Sequence, residues 1–222
     1  MEFVVPFFKS LVLVPLTLLP IINPLGAAPV FIQIAGSNPL VVRRMARQIA
    51  INSWFVLVVS MLVGIYVLDI FGISLPIVRL GGGLLVASSG WRMLSHTGGS
   101  DADKAIVGQT EVLSRTEIVM RSFFPITFPL TTGPGAIAAA IALGVHLPRT
   151  LGRYLLGASV AVLGVGITVL AVYLCYRHAT RLVALLGPIG TMVIMRMLAF
   201  ILFCIGIEIM WSGWAALNQL KP

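Results

Sequence analysis

The chain has 222 residues, of which 59% are hydrophobic and only 10% are charged, and its formal net charge is +8. Soluble domains carry about 25% charged residues, so this composition excludes a soluble globular fold and indicates an integral membrane protein. The positive charge does not indicate a nucleic-acid partner, because in a membrane protein the distribution of Lys and Arg between the two faces matters more than their sum.

The apolar segments predict an all-α protein. A hydrocarbon core of about 30 Å requires about 20 mostly apolar residues per helix. By that measure we expect six transmembrane helices, at residues 7–35, 48–68, 74–94, 118–145, 154–176 and 192–217. The first run is too long for a signal peptide and lacks a small-residue cleavage site, so we interpret it as a retained span. Residues 96–117 are polar and are interpreted as a cytoplasmic linker between residues 1–95 and 118–222.

Lys and Arg are distributed unevenly over the two predicted faces. If both termini share one face, the opposite face carries Arg43, Arg44, Arg47, Arg92, Lys104, Arg115, Arg121, Arg177 and Arg181. The termini face carries fewer, namely Lys9, Arg79, Arg149, Arg153 and Lys221. Since cytoplasmic loops are enriched in Lys and Arg, both termini are predicted to be extracytoplasmic. Aromatic residues near span ends, among them Tyr173, Tyr176, Trp211 and Trp214, are expected at the membrane interface.

An internal repeat is the strongest signal in the sequence. The segments PIINPLGAAP at 20–29 and PITFPLTTGP at 125–134 both read P-I-x-x-P-L-x-x-x-P. The predicted helix-break residues are therefore Pro20, Pro24, Pro29, Pro125, Pro129 and Pro134. A weaker echo is IVRLGGGLL around Arg79 and IMRMLAFIL around Arg196. Because each half holds three spans, the second half must enter the membrane in the opposite orientation, which predicts two inverted three-helix repeats.

The repeated prolines predict that helices 1 and 4 are broken near the midplane. Proline in a helix interior costs about 3 kcal/mol or more. Irregular backbone at membrane depth is tolerated only where it is buried in protein or lines a watery cavity. Proline fits the first position of a helix, so Pro29 and Pro134 are expected to restart helices. The two half-helices would present free N–H groups and partial positive charge to the space between them.

The residues around the two breaks form a predicted binding site for a small zwitterion. Helix N-termini suit its carboxylate, and the carbonyls before each break suit its ammonium group. Glycine permits close backbone approach, and Asn and Thr offer donors and acceptors. The predicted substrate-binding residues are Asn23, Pro24, Gly26, Thr127, Thr131, Thr132, Gly133 and Gly135. A single proline kink is often only a kink, but a paired copy with polar residues favours a transport site.

Three charged residues inside spans, Arg79, Arg196 and Glu208, are candidates for gating or coupling. Charged groups in a membrane are costly and usually functional. The two arginines could equally extend to the interface as anchors, and Glu208 could carry a proton or pair with an arginine. The glycine-rich third span places Gly83 and Ala87 at a spacing that lets helices approach closely, which favours packing within the bundle.

The sequence does not predict an enzyme. The histidines His96, His146 and His178 lie at span ends or in loops, and no serine can be paired with a buried base. No cofactor, metal site or catalytic residue is predicted. A passive small-solute channel formed by paired half-helices is the alternative to a transporter. The counterpart of Asn23 is Phe128, however, so the repeat does not support a symmetric pore filter.

The segments INPLGAAPVFI, DIFGIS, RLGGGLLVASSGWRML and TTGPGAIAAAI resemble those of the MarC family of bacterial integral membrane proteins. This family is similar in plan to LysE-type small exporters, and its characterised members include SnatA-type transporters of small neutral amino acids. The resemblance implies an inner-membrane transporter or exporter of small neutral amino acids such as alanine and glycine, and the broken helices predict that it works by alternating access. It leaves open proton coupling and oligomeric state. The family motifs fall on Asn23, Pro24, Leu25 and Gly26, and on Thr132, Gly133, Pro134 and Gly135.

Overall fold

A computed structural model describes residues 4–36, 38–95, 115–145 and 151–218, and this part of the chain is helical throughout apart from short turns and breaks. In chain order the helices are α1 (Val4–Ile22), α2 (Pro24–Ala35), α3 (Pro39–Ile70), α4 (Leu75–Ser95), α5 (Arg115–Arg121), α6 (Pro134–Gly144), α7 (Leu151–Arg177) and α8 (Ala179–Leu217). A segment of π-type turns, Ser122–Thr131, connects α5 to α6 and is called the π segment below. Most of the predicted linker, residues 96–114, lies outside the described residues, and its last three residues begin α5.

The membrane-spanning character of the chain is evident from three of these helices. All of α3, Leu155–Arg177 of α7 and Ile189–Leu217 of α8 are long and apolar enough to cross a membrane. Two bent pairs pass the same test together, namely Phe7–Ile22 with Pro24–Ala35 and Thr116–Thr131 with Pro134–Gly144. Over the described ranges, length and composition therefore support three to five spans, compared with the six predicted.

The difference from six lies in α4, which coincides with the predicted third span. Its 21 residues are enough to cross a bilayer. Its sequence, LPIVRLGGGLLVASSGWRMLS, contains two arginines and several glycines and serines that lower its mean hydropathy. Its buried residues include Gly82, Gly83 and Gly90, so small residues that weaken the hydropathy signal form its packed face.

The first break lies at Asn23, where α1 and α2 meet with a bend of 51°. Asn23 has φ 47 and ψ 58, a left-handed conformation that asparagine tolerates better than most other residues. α2 then begins at Pro24, because the N–H that proline lacks has no helical partner at this first position. The expectation that Pro29 restarts the helix is wrong, because Pro29 lies inside α2, and Pro20 likewise lies inside α1.

The second break lies between the π segment and α6, which meet with a bend of 66°. Phe124 and Phe128 are extended (φ −121, ψ 127 and φ −122, ψ 126), because each precedes a proline whose ring disfavours helical backbone. The two Phe–Pro peptide bonds are cis. α6 begins at Pro134, as the sequence predicts.

α4 and α8 pack closely because glycines on each helix let the backbones approach. A Cβ added at Gly90 would lie 2.5 Å from the backbone nitrogen of Phe203, and one added at Gly206 would collide with the backbone of Ala87. Gly83 meets α8 in the same way. The predicted packing role of the small residues in the third span is therefore confirmed.

The two halves of the chain pack against each other in matching pairs. The contact of α2 with α8 corresponds to the contact of α6 with α4. In the same way, the contact of α1 with α7 corresponds to the contact of the π segment with α3. Fully buried side chains from both halves form one core, which includes Leu18, Phe31, Met45, Ile126, Val165 and Tyr176. The Tyr176 side chain is 0% exposed, so it packs in this core and does not face the surroundings of the protein.

Candidate functional site

Asn23 has a buried amide donor at the first break. Its side-chain oxygen accepts a hydrogen bond from the backbone N–H of Gly26 at 3.1 Å and so caps α2. The residue is only 7% exposed, and its Nδ2 atom is buried without a hydrogen-bond partner. A Cβ at Gly26 would lie 2.5 Å from this Nδ2, so glycine is needed to accommodate the amide. A buried donor without an acceptor is costly, and such groups often mark functional positions.

The threonines of the second break are buried and bonded within the protein. The hydroxyl of Thr127 donates to the carbonyl of Ser122 at 2.7 Å, and that of Thr132 donates to the carbonyl of Thr127 at 2.8 Å. The carbonyl of Thr127 also accepts the backbone N–H of Thr132 at 2.7 Å, so the Thr132 hydroxyl adds a second bond to the same carbonyl. The two hydroxyl hydrogens therefore stabilise the break, while the oxygen lone pairs remain available to accept a hydrogen bond.

Tyr176 joins elements of both halves and has no counterpart among the predicted site residues. Its hydroxyl lies 2.9 Å from the hydroxyl of Thr131 in the π segment. Its ring stacks on Phe31 of α2, with centroids 4.7 Å apart and an interplanar angle of 14°. A tyrosine near the end of a span is typical of the interface, so the sequence carries no signal for this buried contact.

We expect Tyr176→Phe to lower the stability of the folded protein. The substitution removes one hydroxyl and leaves that of Thr131 buried without its partner, which costs about 1–3 kcal/mol. The measurement is thermal unfolding of the purified protein in detergent. Tyr173→Phe is the matched control, because the Tyr173 hydroxyl is bonded only at an exposed site, to Arg177 at 3.3 Å. Equal melting temperatures for the two variants would contradict the buried bond.

A cavity of about 170 Å³ lies between α1, α4, α6 and α8. Its lining includes Thr17, Arg79, Gly82, Gly135, Ala138 and Ser212. Of the eight predicted substrate-binding residues, all of which lie within the described ranges, Gly135 alone lines this cavity. Gly135 belongs to the first turn of α6, whose N-cap residue Gly133 supplies no side-chain hydrogen bond. The cavity therefore reaches a helix N-terminus at the second break.

The three charged candidates lie in different surroundings. Arg79 is half-buried and lines the cavity. Arg196 and Glu208 are exposed on α8. Because α8 also exposes large apolar side chains such as Phe200 and Trp211, this face resembles a lipid-facing surface. A gating or coupling role for the three residues stays a prediction.

The apolar helices and the two breaks define a multi-span helical membrane protein. The chain belongs to the MarC family of integral membrane proteins, whose family model matches residues 8–217. The resemblance predicted from the motifs is therefore confirmed.

Curated relatives support the same assignment. The chain is 28% identical over 209 residues to the UPF0056 inner membrane protein MarC of Salmonella typhimurium, covering 93% of this chain and 94% of that protein. The protein of the same name from Escherichia coli O139:H28 is 29% identical over 209 residues, with the same coverage. A UPF0056 membrane protein of Buchnera aphidicola is 27% identical over 198 residues, covering 89% of this chain and 88% of that protein. No solved structure matches the chain significantly.

Proposed function

We propose that this protein transports small neutral amino acids such as glycine and alanine across the inner membrane. The observation that carries the proposal is the pair of broken spans, bent by 51° and 66°, each of which resumes at a proline. In secondary transporters, paired discontinuous helices form the substrate site near the midplane. The names of the Salmonella and Escherichia relatives support the inner-membrane location.

The size of the cavity supports a small solute. A volume of about 170 Å³ is well below the range of roughly 300–1,000 Å³ that encloses drug-sized ligands. A cavity of this size suits a solute of a few non-hydrogen atoms, such as an amino acid with a minimal side chain. Gly82 and Gly135 let α4 and α6 approach closely beside this space, because an added Cβ would meet Ala138 or Val86 of the facing helix.

The proposed architecture is six spans in two inverted repeats, formed by residues 1–95 and 118–222. Three kinds of observation support it, namely the proline repeat, the two breaks and the matching packing of the halves. In this arrangement α4 is the third span, shielded on one face by α8 and α6. Both termini are extracytoplasmic, and the exposed arginines at the start of α3 face the cytoplasm. Transport follows from rocking of one repeat against the other.

We expect proteoliposomes containing the protein to take up labelled glycine and alanine with saturation. Uptake should accelerate when unlabelled substrate is loaded inside, because a carrier exchanges substrate across the membrane. Repeating the assay with an imposed proton gradient tests coupling. Empty liposomes are the control. Unsaturable flux without exchange would instead support the passive channel, and no flux from correctly folded protein would overturn the choice of substrate.

A further inference from the structure

Arg79 is the charged residue in the lining of the cavity of about 170 Å³. Within the described part of the chain, this residue forms no hydrogen bond or ion pair. The rest of the lining combines small or apolar residues, such as Gly82 and Ala138, with the hydroxyl groups of Thr17 and Ser212. A guanidinium group presents five donors in a planar fork that matches a carboxylate, and it stays charged at any physiological pH. A cation without a protein partner, in a cavity whose other polar side chains are neutral hydroxyls, favours an anionic group as its occupant.

The internal repeat provides a comparison for this position. Arg196 is the counterpart of Arg79 in the weaker sequence echo, yet its side chain is exposed on α8. The two arginines are therefore not equivalent, although the sequence presents them alike. Of these two arginines, Arg79 lines the cavity and Arg196 does not, so a binding role in this cavity applies to Arg79.

We propose that Arg79 binds the carboxylate of the transported amino acid in this cavity. The inference rests on the proposed function and names the residue that recognises the acidic end of the substrate. The first turn of α6 at Gly135 adds N–H groups to the same space. Ser212 donates its hydroxyl hydrogen to the carbonyl of Ile209 at 2.8 Å, which leaves its oxygen lone pairs to accept from the substrate ammonium group. The site thus distinguishes a free amino acid from its amide.

The test compares Arg79→Gln, Arg79→Lys and Arg92→Gln in the full chain, reconstituted in proteoliposomes. We expect Arg79→Gln to raise the alanine concentration for half-maximal uptake by at least about tenfold, because a charge-assisted hydrogen bond is lost. Arg79→Lys keeps the charge and should recover part of the loss, whereas Arg92→Gln, which removes an exposed arginine of the same helix, should behave as the wild type. Alaninamide should compete far more weakly than alanine in the wild type, and this preference should shrink in Arg79→Gln.

Failure of this inference can be distinguished from failure of the proposed function. Unchanged half-saturation in Arg79→Gln, with the preference over alaninamide retained, would overturn the role of Arg79 and leave amino acid transport standing. If the wild type moves no alanine, the proposed function fails. The carboxylate site at Arg79 is then tested by whether a carboxylate protects Arg79 from chemical modification. Acetate but not acetamide should slow modification of Arg79 by phenylglyoxal, measured at that residue by peptide mass spectrometry. Equal rates of phenylglyoxal modification in the presence of acetate and of acetamide would overturn the carboxylate site.

Discussion

Gly90→Leu is expected to prevent the protein from folding stably. A Cβ at this position would lie 2.5 Å from the backbone nitrogen of Phe203 and 2.8 Å from the carbonyl oxygen of Ala199, both on α8. Because these atoms belong to a helix backbone, they cannot move aside as a flexible side chain would. Overpacking of a core usually costs about 1–3 kcal/mol, and obstruction by backbone places this variant at or above the upper end. Total stabilities of about 5–15 kcal/mol leave little reserve for such a loss.

The measurement is the yield and melting temperature of the monodisperse protein in detergent. Gly81→Leu is the matched control, since it makes the same substitution on the same helix where a Cβ would meet nothing within 4 Å. It also improves helix propensity by about 0.8 kcal/mol or slightly less, so it should not lower the yield. Equal yields and melting temperatures for both variants would show that α4 and α8 do not pack through Gly90.

Asn23→Asp is expected to abolish most transport while the protein still folds. Aspartate keeps the side-chain oxygen that accepts from Gly26, and it tolerates the left-handed backbone at this position. It replaces the unpartnered Nδ2 donor with a second oxygen and adds a negative charge at the break. If the amide donates to the substrate during the transport cycle, losing that bond to a charged group costs about 1.5–3 kcal/mol. The expected reduction in transport is therefore about tenfold to a hundredfold.

Two further substitutions separate the backbone role of Asn23 from its donor. Asn23→Gly retains the left-handed conformation and loses both the cap and the donor, so it should lose transport with only a small loss of stability. Asn23→Ala also loses the conformational tolerance and should be less stable than either. Uptake and melting temperature measured on all three variants test this order. Full transport by Asn23→Asp would show that the Nδ2 donor does not serve the substrate.

The two broken spans show how far the sequence alone could locate the site. The repeated prolines predicted both breaks correctly, because proline acts on the backbone within one turn of its own position. They did not identify the residue at which α2 begins. Pro24 and Pro29 both fit the first position of a helix, and the left-handed conformation of Asn23 determines that the helix begins at Pro24.

The sequence by itself determined the membrane class, the order of the helices, the two breaks and the family, because apolar runs, proline effects and motifs are local properties of the chain. The tertiary structure decided the environment of each polar side chain. It placed Arg79 in a cavity and exposed its counterpart Arg196, and it buried Tyr176 against Thr131 and Phe31. The physical reason is that burial and hydrogen-bond partners depend on which helices face each other, and residues far apart in sequence set that arrangement.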